Sequence, residues 1–442
     1  MTPGIFHAPS DTIEVYDLGS SDYFWSSIKP GFTALAHPSS LSIGRTHGVF
    51  VLREEPPQGS LVAVVDCSEV LQKPSVEIMK AKKAVTITGT AEEIVYTDSS
   101  FFFDHSVSRK FLKFYSSHKP LLCEIDAYGD FLQALGPNAS SDYIFDVKNV
   151  KNVEESLIKT RKSIYDLLKG ENLNVIVLNS SKFYHLGTVS EYIHNFCQDA
   201  VLRKELDLQS LSLSKWLVDN SEAQVVVGDG KSELVGCVVH SIVSGANTRI
   251  SSTAVVEYCE FDFPVVVQSH SLINSCSYLR AHNTQSEPCF VLPADLFMHG
   301  LPLFRYDSQQ FTTLFMGAND DVKRTVPEVD RVSELEWFGR PLSDQLCKLG
   351  WSIEAIFPDA TSFSLWHAKL FPVDQSISKS FLGAYKLSKY LSGCYSEDVK
   401  EFVTCQKVSM FEATTVFHDS GRILEYRNAL FKRIKTTVTC QC

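Results

Sequence analysis

Between residues 171 and 325 the chain stops reading as helix and short β-branched runs recur: Val175 to Leu178, Val225 to Val227, Val238 and Val239, Ile242 and Val243, Val255 and Val256, Val265 to Val267, Leu272 and Ile273. Steps of six from Cys237 meet Val243, Arg249, Val255, Phe261, Val267, Ile273 and Leu279, an apolar column broken at Arg249. No other feature constrains the fold as much, because an inward residue at every sixth position is the step of a β-helix coil with hexapeptide-like turns. Short strands between turn formers also suit an antiparallel β-sandwich, and periodicity alone leaves both open. Gly228-Asp229-Gly230-Lys231-Ser232 is not a phosphate loop. The Walker pattern needs a glycine where Val225 stands and a long helix afterwards, so the segment reads as a turn.

Residues 1 to 170 read differently. Val49 to Leu52, Leu61 to Val65 and Ile94 to Phe103 are apolar, β-branched or aromatic runs bounded by turn formers. After Asp104, Val107, Phe111 and Phe114 fall at helical spacing between Ser106 and Ser117. A second helix is expected after Asn152, with Val153, Leu157, Ile164, Leu167 and Leu168 as its stripe and Gly170 at its end. Strands alternating with helices imply an α/β domain with a mainly parallel sheet, whose ligands bind beyond the carboxyl ends of the strands. Residues 326 to 442 are mixed. Trp337, Phe338, Trp351, Phe357, Phe363, Trp366 and Phe371 suit a core, and Arg422 to Thr436 fits an amphipathic helix.

Composition removes several functions. With 44% hydrophobic and 21% charged residues over 442 positions, the chain is globular and long enough for two or three domains. Its formal net charge of −11 disfavours nucleic acid and anionic membranes, both of which require a basic face. The N-terminal stretch carries Asp11, Glu14 and Asp17 without a signal-peptide run, and no apolar stretch is long enough to span a membrane, which points to the cytoplasm. The 12 cysteines are scattered, which favours buried thiols over disulfides, and the Cys440 and Cys442 pair is too small for zinc.

Four stretches, in order along the chain, carry a resemblance. They are Pro30-Gly31-Phe32-Thr33-Ala34-Leu35-Ala36-His37-Pro38-Ser39-Ser40, running on through Thr46-His47-Gly48 to Leu52; Cys123-Glu124-Ile125-Asp126-Ala127-Tyr128-Gly129-Asp130 to Pro137; Ser181-Lys182-Phe183-Tyr184-His185-Leu186-Gly187-Thr188 with Glu191-Tyr192; and Ser364-Leu365-Trp366 with Phe371-Pro372-Val373. Together they are similar to the fucose-1-phosphate guanylyltransferase (GDP-fucose pyrophosphorylase) family. The resemblance implies an α/β plus β fold: a partial Rossmann-like nucleotidyltransferase domain over 1–170, a β-helix-like solenoid over 171–325 and a mixed C-terminal α/β region over 326–442. It puts the family's glycine-rich nucleotide loop upstream of Met1, so an open sheet edge and exposed apolar surface are expected.

The activity implied is transfer of a guanylyl group from GTP to L-fucose 1-phosphate, giving GDP-L-fucose and pyrophosphate. Such an in-line displacement asks for positioning, a divalent ion and cationic clamps, and Mg²⁺ or another divalent cation is the cofactor implied. Asp11 stands where the family has a carboxylate after a central strand, which makes it the candidate metal ligand and catalytic residue. Lys73, presented by Pro74 from a rigid turn as in related nucleotidyltransferases, is the second catalytic candidate. The sugar-binding candidates implied are Tyr96 and Asp98 on a sugar-facing strand, Glu124, Asp126 and Asp130 near the sugar, and Ser39, Ser40 and His47 in the leading segment. A second reading is a non-catalytic relative that binds a nucleotide sugar or regulates, and a homo-oligomer suits either.

Overall fold

The computed structural model describes residues 3–18, 28–57, 59–147, 156–208, 211–212, 215–217, 233–234, 236–244, 247–279, 289–358, 363–393 and 399–438. The chain divides into two compact units, Met1–His185 and Leu186–Cys442.

In the first unit the strands are β1 (Gly4–His7), β2 (Thr12–Val15), β3 (Phe32–Ser40), β4 (Gly48–Leu52), β5 (Val62–Gln72), β6 (Thr86–Ile87), β7 (Glu93–Asp104), β8 (Leu173–Leu178) and β9 (Lys182–His185). The helices are α1 (Leu41–Gly44), α2 (Val76–Ala81), α3 (His105–His118) and α4 (Ser156–Leu168). The main sheet runs β1-β7-β3-β8-β5-β4, with β6 on β7, and β4 also meets β7. Thr97 of β7 pairs with His37 of β3 and with Val49 of β4, so the strand order returns on itself. A register shift between Ala34 and Ala36 supplies a bend.

This is not the mainly parallel sheet expected. β3 and β8 are parallel, whereas the β1–β7, β3–β7, β4–β5, β5–β8 and β6–β7 pairs are antiparallel. Residues 53–61 join β4 to β5 and are too few for the crossover of a dozen or more residues that parallel neighbours need. Strand and helix alternate from β3 through α1 to β4, from β5 through α2 to β6, and from β7 through α3 and α4 to β8. Val175–Leu178, grouped by sequence with the solenoid, falls in β8 between β3 and β5 and is buried throughout.

The core of this unit gathers Phe32, Phe50, Phe101, Leu132, Ile164 and Val175, each worth about 1.5–3 kcal/mol when fully buried. α3 begins where Asp104 accepts the N–H of Val107 at 3.0 Å and that of Gly31 at 2.9 Å, tying the helix start to β3. α4 buries Leu157, Ile164 and Leu168 as its stripe requires, and the expected cap at Asn152 lies outside the described residues. β1 lies at the end of the strand order, and Ile5 and Phe6 on it are 50% and 59% exposed.

In the second unit three parallel ladders run side by side. Val238 pairs with Val256, Ile273 and Met298 in succession; Val243 with Phe261 and Tyr278; Ile250 with Val267 and Leu292. Of the six-residue column, Val243, Phe261, Val267 and Ile273 join one core, Cys237 and Val255 are buried in another with Ile193 and Cys197, Leu279 is 45% exposed, and Arg249 is exposed with its neighbour Ile250 buried in its place. The strict step slips there because partners advance by 18 residues from Val238 to Val256 and by 17 from Val256 to Ile273.

Residues 326–442 are not a separate body. Phe371–Asp374 pairs antiparallel with Ser308–Gly317 in the sheet that holds the parallel strands, and one core joins Val256 and Phe261 to Trp337, Phe371 and Phe381. The helix Ser420–Val438 seats Leu430 and Ile434 against Ile242. The Gly228 to Ser232 segment lies outside the described residues. Among the described residues no helix is long and apolar enough to cross a membrane.

Candidate active site

Because Thr97 is wedged between β3 and β4, the residue after it, Asp98, lies beside the start of β4. Its Oδ1 accepts the N–H of Gly48 at 2.9 Å. Its Oδ2 is buried with no partner, and so is Gln72 Oε1 at the end of β5. Gly48 and Gln72 are cross-strand partners. A Cβ on Gly48 would stand 2.1 Å from Asp98 Oδ2 and 3.0 Å from Gln72 Oε1, so only glycine admits both side chains. Burial pushes the Asp98 carboxyl up to about 7; the charge of Asp126 adds to this, while the Gly48 N–H and Lys73 oppose it.

Lys73 follows Gln72 directly. Its φ of 49° is left-handed, a conformation that costs a side chain roughly 1–2 kcal/mol, and its N–H donates to the carbonyl of His47 at 3.0 Å. Strain of this kind persists where surroundings hold it and clusters at working sites. The lysine side chain points into an exposed position.

Asp126 opens a tight helical turn by accepting the N–H of Tyr128 at 2.9 Å. Burial first, then the charges of Asp98, Glu14, Asp11 and Asp126, raise the Tyr128 phenol well above its ordinary value. Asp11, in the turn between β1 and β2, stands 3.5 Å from His185 Nε2, and His185 lies edge-on to His47 with ring centres 5.4 Å apart. The fold thus brings Asp11, His47, Lys73, Asp98 and Asp126 together, and adds His185, Tyr128 and Gln72, which sequence reasoning missed.

A buried polar network holds this arrangement. His37 bonds Ser181 Oγ at 2.7 Å through Nδ1, and Ser99 Oγ at 2.9 Å and Glu14 at 3.3 Å through Nε2. Burial pushes the Glu14 carboxyl up, but hydrogen bonds from His37 and Ser100 outweigh it and hold the group below its usual value. The result pins β2 to β3 and β7, fixing Asp11 a few residues upstream. Serine, histidine and glutamate in a row are not a hydrolase triad here, because Ser181 Oγ donates to the carbonyl of Leu178 at 2.6 Å and His37 is fully buried. A histidine inside a buried strand had to find partners, which was the available signal.

Other candidates are drawn into the scaffold. Asp130 is 1% exposed; Arg161 Nε donates to its Oδ1 at 2.7 Å and the N–H of Asp126 to its Oδ2 at 2.8 Å, which leaves it a structural anchor and not a sugar contact. Arg161 could have been found, since it falls on the apolar stripe of α4 between Leu157 and Ile164, where a charge requires a carboxylate. Ser39 Oγ bonds Thr97 Oγ1 at 2.7 Å and Tyr96 donates to Asn179 at 2.8 Å, both as packing within the sheet. Ser40 caps α1, and Glu124 is exposed.

Among the described residues no group of three or more His, Cys, Asp or Glu side chains converges to hold a metal ion. Asp11, half-exposed, offers an oxygen donor of the kind a hard cation takes, as one ligand beside phosphate oxygens and water.

Residues 1–376 match the fucose pyrophosphorylase domain. The chain is 34% identical over 461 residues to the fucose-1-phosphate guanylyltransferase of Mus musculus, covering 99% of this chain and 73% of that protein. Against the fucose-1-phosphate guanylyltransferase of Homo sapiens it is 34% identical over 458 residues, covering 98% and 71%. Among solved structures, a UTP-bound UGPase from Acinetobacter baumannii overlaps 46% of this chain and 54% of its own, at 8% identity and a TM-score of 0.24, an overlap too loose to bear on the fold. With the match extending over both units, the chain belongs to the fucose pyrophosphorylase family.

Proposed function

We propose that this chain forms GDP-L-fucose and pyrophosphate from GTP and L-fucose 1-phosphate. The observation that carries the reading is 34% identity, over 99% of the chain, to a protein named for that transfer. In the reaction an oxygen of the sugar phosphate attacks the α-phosphorus of GTP in line, and pyrophosphate leaves with the electrons of the broken P–O bond. Lys73, exposed and held on a strained backbone, neutralises the sugar phosphate as it attacks. Asp126 and Asp98 accept hydrogen bonds from the sugar, and His47 and His185 flank the phosphate. Mg²⁺, when bound, supplies charge neutralisation to the triphosphate, and Asp11 is the residue that would hold it.

We read the three parallel ladders of the second unit as coils of a β-helix, since each inward residue is stacked on its counterpart one turn later. We place the protein in the cytoplasm, because Cys67, Cys197, Cys237, Cys259 and Cys276 are buried as free thiols, which suits a reducing compartment.

The test incubates the purified chain with Mg²⁺, GTP and fucose 1-phosphate, with mannose 1-phosphate as competing substrate, and follows nucleotide sugar and pyrophosphate. Product specific to fucose is expected. Absence of product, with the chain folded by its melting curve, overturns the reading.

A further inference from the structure

The second unit aligns three side chains that no step of the guanylyl transfer uses. His270 stands two residues before Leu272 and Asp295 two residues before Phe297, and because Leu272 and Phe297 are partners in a parallel ladder, His270 and Asp295 come side by side. Asp295 Oδ1 lies 2.8 Å from His270 Nδ1. The helix Val189–Cys197 packs Ile193 and Cys197 against Val255 and Leu272 of the same sheet. Ser190, one turn before Ile193 on that face, reaches His270 with its Oγ 3.1 Å from Nε2. A carboxylate at Nδ1 keeps the ring hydrogen there, so Nε2 of the neutral imidazole is a proton acceptor aimed at a hydroxyl. Asn319 Oδ1 lies 2.8 Å from the same Oγ, and the hydroxyl hydrogen rotates between the two acceptors.

Burial disqualified Ser181 and His37 as a hydrolase pair, but a substrate can reach this trio: Ser190 is half-buried, and the side chains of His270 and Asp295 are 30% and 65% exposed. Their supports are firm. The N–H of His270 donates to Thr253 Oγ1 at 3.0 Å, that of Asp295 to the carbonyl of Ser269 at 3.0 Å, and Thr188 with Glu191 closes a capping box at the helix start. Thr188 Oγ1 takes the Glu191 N–H, which leaves those of Val189 and Ser190, orphans of the first turn, to meet an oxyanion. We infer that Ser190, His270 and Asp295 form a second catalytic site, one that cleaves small carboxylic esters through an acyl-serine. Ser190 Oγ bonds the ester carbonyl carbon while its proton passes to His270 Nε2. The bond from that carbon to the alcohol oxygen then breaks, and the alcohol leaves with the electron pair and the proton. Water attacks the acyl-serine, giving one proton to His270, and the carboxylic acid departs as Ser190 Oγ recovers that proton. Asp295 holds the tautomer; open to water, it steadies the imidazolium less than a buried carboxylate would, which suits an ester and not an amide.

The test treats the full folded chain with a fluorophosphonate, which bonds to an activated serine, and locates the adduct by peptide mass spectrometry, while p-nitrophenyl acetate reports turnover. Ser190 is expected to carry the adduct. Ester turnover should fall at least about 100-fold in Ser190→Ala and in His270→Ala, and by less in Asp295→Asn. His270→Gln serves if His270→Ala does not fold. Guanylyl transfer that persists in Ser190→Ala supports two separate sites, and a loss of transfer in step with ester turnover overturns a second site. An unlabelled Ser190, labelling as fast in the His270 variant as in the unaltered chain, or ester turnover that survives in Ser190→Ala also overturns the inference.

Discussion

Replacing Gly48 with alanine tests the packing on which the site depends. The new methyl would sit 2.1 Å from Asp98 Oδ2 and 2.6 Å from its Cγ, distances at which something must move. The backbone cannot yield easily, since Gly48 is paired with Gln72 in the sheet, so the Asp98 carboxyl must swing away and release the Gly48 N–H. Overpacking costs about 1–3 kcal/mol, and the lost bond of a buried donor roughly 1–3 kcal/mol more. The sum is about 2–6 kcal/mol, and at roughly 2–4 °C per kcal/mol for a unit of this size, calorimetry should show its transition lowered by about 4–24 °C. The mechanism makes a second demand. If the clash is with the carboxyl, Asp98→Ala should absorb the damage, and the double variant should be no less stable than Asp98→Ala alone, a coupling of more than about 1 kcal/mol. A Gly48→Ala protein melting within about 1 °C of the unaltered chain, or costs that simply add, would refute the argument.

Three further outcomes follow from the same contacts. Arg161→Met strands the buried Asp130 carboxylate with only the backbone N–H of Asp126 as donor among the described residues and should lower stability by about 3–5 kcal/mol in denaturant titration, part of which returns in the double variant with Asp130→Asn; a loss below about 1 kcal/mol contradicts the anchor role. Asp98 titrates at about 7 in the folded chain against an ordinary 3.8, so the native state holds a proton that the unfolded chain releases. Its contribution is present at low pH and lost as pH rises from about 4 to about 7, and a pH series of denaturation midpoints should show that decline in the unaltered chain and lack it in Asp98→Asn. Lys73→Gly removes both the left-handed strain and the ammonium, so melting temperature should stay the same or rise while the KM for fucose 1-phosphate rises at least about tenfold; a fall in both stability and activity would mean that the lysine is only structural.

Much of this could be read along the chain. Val107 and Phe114 on α3, Leu157, Ile164 and Leu168 on α4, and Val243, Phe261, Val267 and Ile273 of the column are buried at the positions their spacing requires, because burial on one face of an element depends on neighbours a few residues away. Arg249 broke the column in sequence and points outward in space. Asp11, Lys73 and Asp126 were named through resemblance alone, since no spacing within their own segments singles them out.

What periodicity could not supply was the order of strands. The β4 to β7 contact at Val49 and Thr97, the insertion of β8 between β3 and β5, and the union of Phe371–Asp374 with the sheet of the second unit join residues tens to more than a hundred positions apart. Those pairings decided that Asp130 would face Arg161 and serve the scaffold, that His37 would find Glu14, Ser99 and Ser181, and that Gln72 would meet Asp98 across Gly48. Spacing along the chain was enough to pick out most of the buried faces, since burial follows from apolar area and local geometry. Which buried polar groups satisfy one another was set by the folded arrangement, because a hydrogen bond depends on angstrom-scale register between distant segments, which no single segment encodes.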